Sequence, residues 1–184
     1  MNATALIVID VQESFRHRPY YVDQDVPAFL GHVNALVTGA FARKIPVAQI
    51  FHVENQGPFA ESSGLVTTMA PLAFTPDAVF RKRQHSALVG TGLDVWLVRH
   101  AIGRLIICGI RTEQCCETTT RHASDLGYQV EYVSEATLTF PMADKGGHIW
   151  SPAEIRARTE LVLDGRFARI VTVANAFDTG TSPA

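Results

Sequence analysis

The chain has 184 residues, a hydrophobic fraction of 47%, a charged fraction of 18% and a formal net charge of −2. That length is enough to bury one ordinary core. The near-neutral balance offers no basic stripe of the kind that holds nucleic acid, since the one short basic run is Arg81-Lys82-Arg83. Three cysteines, odd in number and without a C-x-x-C pair, argue against a disulfide framework or a structural zinc site. Reduced thiols point to a cytoplasmic protein. The stretch "ALIVI" (5–9) is too short for a signal-peptide core. No apolar run approaches the roughly twenty residues of a membrane span. The expectation is one soluble domain over residues 1–184, with a frayed tail from about 178 to 184.

In chain order, "ALIVIDV" (5–11) reads as a buried strand. From Val26, apolar residues recur at Phe29, Leu30, Val33, Val37, Ala40 and Phe41, the spacing of one helical face. Two strands follow, "PVAQIFHV" (46–53) and "AVFRK" (78–82), separated by a Gly-, Pro- and Ser-rich loop over 54–77. A loop that long in a compact domain usually walls or covers a site. "TGLDVWLVRH" (91–100) opens on Thr91 and Asp94 at the spacing of a capping box. "RLIICGI" (104–110) is a fourth strand, and the helix after it is expected to take Thr112 as its N-cap. "YQVEYVSE" (128–135) and "ARIVTV" (168–173) are the fifth and sixth strands. Between them "SPAE" (151–154) supplies Ser151 as N-cap, Pro152 at the first helical position and Glu154 at the third. Apolar strands alternating with helices predict a three-layer, doubly wound α/β fold with helices on both faces of a mostly parallel six-stranded sheet.

Ligands in such folds bind at the carboxyl ends of the strands, where the strand order reverses. Three reactive side chains fall at strand ends: Asp10, Lys82 and, one short turn after the fourth strand, Cys115. Taken singly, each has a plain structural reading: a turn-forming aspartate, a solvated lysine, a small buried hydrophobe. Together they supply a proton carrier, a cation and a nucleophile, which suffice for acyl transfer. A helix N-terminus and the Lys82 ammonium are expected to lower the Cys115 pKa.

Three segments, "LIVIDVQESF" (6–15), "RKRQHSALVGTGLD" (81–94) and "CGIRTEQCCETTTRHASDLGY" (108–128), resemble the motifs of the isochorismatase-like cysteine hydrolases, among them nicotinamidases and N-carbamoylsarcosine amidohydrolase. The resemblance implies an Asp-Lys-Cys triad of Asp10, Lys82 and Cys115. It also implies a cis peptide at Ile110–Arg111 and an oxyanion hole formed by the backbone N–H groups of Arg111 and Cys115. It selects Cys115 over its neighbour. Counting from Cys116, the residues at Thr120, Ala123 and Gly127 make a small-residue helical face suited to packing on a sheet, so Cys116 reads as structural, as does Cys108.

The nicotinamidase branch carries a metal site of one Asp and several His between the second and third strands. Here "FHVEN" offers His52 alone, with no further histidine until His85, so no metal and no cofactor are expected. The implied reaction is hydrolysis of a C–N bond in a small amide or ureido compound through a Cys thioester. Vinyl-ether hydrolysis with Asp10 as general acid is the alternative, and a redox-thiol or non-catalytic binding module the more distant one. Phe15, Arg16, His52, Phe59, Phe140 and Trp150 are candidate pocket residues, with Arg16 and Arg18 as clamps for a substrate carboxylate. His148 and Trp150 equally suit a subunit interface, and the resemblance suggests a homodimer or higher homo-oligomer. No nucleic-acid or membrane partner is expected.

Overall fold

Strand β1 (Ala3–Ile9) is buried on both faces over its last five residues, the position of a strand at the centre of a parallel sheet. In a computed structural model that describes residues 3–178, Leu6 and Val8 pack into one apolar layer with Phe29, Leu30 and Val33 of helix α1 (Val26–Ala42). Ala5, Ile7 and Ile9 pack into the opposite layer, with Leu93 and Leu97 of α2 (Leu93–Arg99), Ala123 of α3 (Glu117–Asp125) and Leu163 of α4 (Pro152–Leu163). The strands that follow β1 are β2 (Val47–His52), β3 (Ala78–Lys82), β4 (Ile102–Ile110) and β5 (Gln129–Leu138). A small antiparallel hairpin of β6 (Met142–Ala143) and β7 (Ile149–Trp150) comes next, and then β8 (Arg169–Val171). The main sheet has six strands in the order β3-β2-β1-β4-β5-β8, with every pairing parallel. Connections leave β1 towards both edges, so the order reverses between β1 and β4 and opens a crevice at their carboxyl ends. No helix among the described residues is long and apolar enough to cross a membrane.

Several local expectations differ from the structure. Phe41 is 42% exposed, while Leu36 at 0% takes its place on the buried face of α1. Thr91 and Asp94 form no capping box. Gly92, at φ 80°, is the N-cap residue, and Thr91 accepts from the Leu93 N–H at 3.1 Å and donates to the Ala87 carbonyl at 2.6 Å. Gly127 is exposed at φ 88°, ending α3 in a left-handed turn where glycine carries no Cβ penalty, so it packs on nothing. At α4 the Ser151–Glu154 capping box is present, with Pro152 in its first turn. The β6–β7 hairpin is an element that the hydrophobic pattern does not predict, its strands being two residues each and exposed. The tail expected from 178 lies outside the described residues except for Asp178, whose carbonyl accepts from Arg104 and Arg169.

The loop over 54–77 is tied down. Its Thr67 and Leu65 carbonyls accept from the Glu13 and Ser14 N–H groups, and the Met69 N–H donates to the Val11 carbonyl. Its own Phe59, Met69 and Leu72 are buried. The segment after β1 therefore has a fixed roof.

Candidate active site

Asp10 follows β1 directly and adopts φ 52°, a left-handed conformation that costs a residue with a side chain about 1 kcal/mol. The neighbouring strand explains how the turn is held. Gly109 of β4 sits at φ 135°, and a Cβ there would lie 1.9 Å from the Ile9 carbonyl oxygen. Only glycine lets the two strands approach so closely one residue before Asp10.

Lys82 ends β3 beside His52, its register partner at the end of β2, and the Lys82 side chain reaches inward to Asp10. Its Nζ lies 2.7 Å from Asp10 Oδ2, 3.1 Å from Cys115 Sγ, 3.2 Å from the Gln84 carbonyl and 3.3 Å from His52 Nδ1. Asp10 and Lys82 are almost wholly buried, and Cys115 is 7% exposed. Beyond the ion pair with Lys82, neither Asp10 oxygen has a hydrogen-bond partner among the described residues. The carboxylate therefore keeps lone pairs free to accept a proton.

The turn that presents Cys115 is built differently from the expected N-cap. The Ile110–Arg111 peptide is cis, and Thr112–Cys116 forms a single π-helical turn that runs into α3. Arg111, in extended conformation, occupies the cap position, and the Thr112 hydroxyl instead donates to Thr137 Oγ1 at 2.8 Å. The Arg111 carbonyl accepts from the N–H groups of Gln114 and Cys116, both at 3.2 Å, and passes over that of Cys115 between them. Buried Tyr132 donates to the Thr112 carbonyl at 2.9 Å. Glu117, two residues beyond the thiol, receives Arg121, Arg158 and the Thr159 hydroxyl, which locks the start of α3 to α4.

The electrostatics also differ from expectation. Burial pushes the Cys115 thiol up to about 12, Asp10 adds to the effect, and Lys82 opposes it without prevailing. Burial likewise raises Asp10 against the pull of Lys82. Lys82 loses to burial but gains more from Asp10 and Cys115, so its pKa rises. Burial thus outweighs the neighbouring ammonium and favours the protonated thiol. His52 is driven down to about 4 by burial and then by the Lys82 charge. Its Nδ1 accepts from Lys82, which leaves the ring proton on Nε2, 3.8 Å from Glu54 Oε1.

Phe15, His52, Phe59 and Phe140 come together as one aromatic wall. Phe15 meets Phe59 edge-on at 4.9 Å and Phe140 at 6.3 Å, and His52 lies 5.8 Å from Phe59. Arg16 and Arg18 are both paired with carboxylates of the chain itself. Arg16 pairs with Glu13 at 3.1 Å and Asp23 at 3.4 Å, lining a cleft of about 440 Å³ against α1. Arg18 pairs with Glu54 at 2.5 Å and lies 4.5 Å over the Phe59 ring. Trp150 is exposed and lines a separate apolar cleft of about 360 Å³ with Met142 and Ile155, its ring edge-on to His148.

Four side chains to which the sequence assigns no role also contribute, three of them inside the motif segments. Gln12 is buried and accepts the His52 N–H at 2.8 Å while donating to the His52 carbonyl at 3.1 Å. The Arg111 side chain is buried against Glu113, 3.0 Å away, and stacks at 5.0 Å over Tyr20. Tyr132 is the third, and exposed His85, with Nδ1 3.8 Å from Cys115 Sγ, is the fourth. Among the described residues no group of three His, Cys, Asp or Glu side chains is placed to hold a metal ion.

A buried carboxylate, ammonium and thiol at the carboxyl edge of a doubly wound parallel sheet define an α/β protein of the hydrolase type. A family model described as the isochorismatase domain matches residues 4–164, and the chain belongs to that family. It is 26% identical over 173 residues to an uncharacterized isochorismatase family protein, YrdC, of Bacillus subtilis, covering 91% of each chain. It is 25% identical over 176 residues to the nicotinamidase of Escherichia coli, covering 73% of this chain and 83% of that one. Among solved structures, a cysteine hydrolase from Pseudomonas syringae superposes with a TM-score of 0.85 at 25% identity, covering 94% and 89% of the two chains. The protein is an isochorismatase-family hydrolase.

Proposed function

We propose that this hydrolase cleaves a C–N bond of a small amide or ureido compound with Cys115 as nucleophile, Lys82 as electrostatic partner and Asp10 as proton carrier. The observation that carries the reading is the convergence of three chemically complementary buried groups, with Lys82 Nζ 2.7 Å from Asp10 and 3.1 Å from the thiol. The relatives named as nicotinamidase and as streptothricin hydrolase support an amide among the substrates of this family. Substrate entry places a carbonyl carbon on Sγ. Asp10 takes the thiol proton as the C–S bond forms, and Lys82 stabilises the sulfur as it gains charge. The carbonyl oxygen, now an anion, is received by the N–H groups of Arg111 and Cys115. Asp10 returns its proton to the nitrogen as the C–N bond breaks, the amine or ammonia leaves, and water resolves the thioester.

The test is ammonia or amine release from a panel of amides and ureido acids, with intact-mass detection of the acyl adduct. Cys115→Ala is expected to abolish turnover while Cys116→Ala, whose side chain is packed at 0% exposure, retains it. Equal activity in the two variants would overturn the assignment. A second reading, vinyl-ether hydrolysis, is favoured by the burial that raises Asp10 and so suits it to donate a proton. Isochorismate turnover that survives Cys115→Ala would establish that reading instead.

A further inference from the structure

The Arg111 side chain is 8% exposed and meets the Glu113 carboxylate, with Oε1 3.0 Å from Nη2, and the rings of Tyr20 at 5.0 Å and Phe140 at 5.8 Å. Yet Nε and Nη2 of Arg111 and Oε1 of Glu113 are all shut away from water with no hydrogen-bond partner among the described residues. The two charges are close but out of line. Glu113 is held there by its other oxygen, Oε2, which accepts the Thr139 hydroxyl at 2.6 Å. Two buried donors and one buried acceptor left unpaired carry a desolvation cost that folded chains rarely bear without a function.

The guanidinium belongs to the neighbourhood of the thiol. It springs from the residue that follows β4, whose carbonyl is pinned by the N–H groups of Gln114 and Cys116. Phe140, against which it rests, is part of the aromatic wall, 6.3 Å from Phe15, and that wall continues through Phe59 to His52, the partner of Lys82. Tyr20, on its other side, is 37% exposed. Arg18, by contrast, already donates to Glu54, and Arg16 to Tyr21 and to the Ala70 carbonyl.

Nε–H and Nη2–H are the two donors on one edge of a guanidinium, the fork that takes both oxygens of a carboxylate. A carboxylate alone would fill the fork, but it would bring a second negative charge to Glu113 and leave Oε1 without a donor. A group that carries an ammonium beside its carboxylate satisfies all three unpaired atoms and keeps the charges balanced. We infer that Arg111 and Glu113 form a headgroup site for an α-amino acid, and that the substrate is the side-chain amide or ureide of a small α-amino acid. The carboxylate lies on the Arg111 fork and the ammonium donates to Glu113 Oε1. The rest of the molecule carries its carbonyl back to the backbone N–H of the same arginine. Arg111 and Glu113 thereby determine specificity through side chains that hold the unreactive end of the substrate. The inference rests on the amide-hydrolase reading for the bond that is cut.

The experiment measures binding by calorimetry to the full chain carrying Cys115→Ala, so that ligands are not consumed. The probes are L-asparagine, L-glutamine and L-citrulline, each beside the analogue without its α-ammonium and the analogue without its carboxylate. At least one amino acid is expected to bind at least about tenfold more tightly than either of its analogues. Adding Glu113→Gln should erase the preference over the analogue without the ammonium and keep the other preference. Adding Arg111→Lys, which keeps the charge but not the fork, should weaken the preference over the analogue without the carboxylate and keep the first. A merely structural role would move both preferences together. Should one variant fail to fold, the other decides by the same crossed pattern. Equal binding of amino acid and analogues, binding of none, or both preferences surviving in a folded variant overturns the inference and leaves the Cys115 assignment standing. The chain with Cys115 restored should release ammonia from the tightest ligand. Binding as expected without that release overturns the hydrolase reading for these compounds, and with it their place as substrates.

Discussion

Lys82 Nζ lies 2.7 Å from Asp10 Oδ2 with both side chains at 0% exposure. A pair removed from water this completely contributes little net stability, because desolvation offsets the attraction, but breaking it strands a charge. Lys82→Met is therefore expected to destabilise the chain by roughly 3 kcal/mol or more, since Asp10 then has no partner for either oxygen. The double variant with Asp10→Asn should regain part of that loss, because the stranded charge is gone. Denaturant unfolding of the three chains checks this. A Lys82→Met chain as stable as the wild type would show that Asp10 is already neutral in the fold.

The close approach of β4 to β1 gives a second expectation. At Gly109 a Cβ would stand 1.9 Å from the Ile9 carbonyl oxygen at φ 135°, so both space and backbone oppose a side chain. Gly109→Ala is expected to cost roughly 3 kcal/mol or more and to displace Asp10, the residue after Ile9. Gly31 in α1 is the contrast, because a Cβ added there would meet nothing within 4 Å and the backbone is ordinary helix. Gly31→Ala should stabilise by about 0.5–1 kcal/mol. Thermal unfolding that moves both variants in the same direction would refute this account of the two glycines.

The strands and their mostly parallel sheet are legible in the sequence because apolar runs and helical spacings are local. Asp10, Lys82 and Cys115 each have a plain structural reading alone, and they stand out through their shared place at strand ends and through the motifs that resemble a family. What is not legible depends on the relation between distant segments. Arg16 and Arg18 look free until Glu13, Asp23 and Glu54 are seen beside them. Thr91 looks like an N-cap until Gly92 takes a left-handed conformation and shifts the helix start. A neighbouring cation predicts an acidified thiol, but the depth of burial decides the sign, and burial is a property of the whole fold. His85 reads as one more loop histidine, and only the path of the turn before α2 brings it to the sulfur.

With Asp10 as the proposed proton carrier, its raised pKa is expected to set the acid limb of turnover. If Asp10 must be ionised to accept the thiol proton, the rate rises with pH as Asp10 loses its own proton. Burial has moved that event above the ordinary carboxylate value of 3.8. Lys82, whose pKa is raised above 10.5, stays charged through neutral pH and adds no loss there. The kcat/KM profile on any amide that the chain turns over should therefore fall on the acid side from a pH higher than a free carboxylate would dictate. A profile flat down to 3.8 would remove Asp10 from the proton path.

His52 ties stability, rather than rate, to pH. Its folded pKa is about 4 against 6.5 for an ordinary histidine, first because of burial and then because of the Lys82 charge. Below 6.5 the unfolded chain binds a proton that the folded chain refuses. The stability this residue contributes is thus present above 6.5 and is lost as pH falls through that value towards about 4. His52→Asn keeps a carbonyl oxygen near the Nδ1 position but has no proton to gain. Melting temperatures measured from neutral pH down to about 4 should fall more steeply for the wild type than for the variant. The other acid-labile groups are common to both chains, so the difference in slope isolates the imidazole. Parallel curves would mean that His52 is protonated as readily in the fold as out of it, and that its ring does not accept from Lys82.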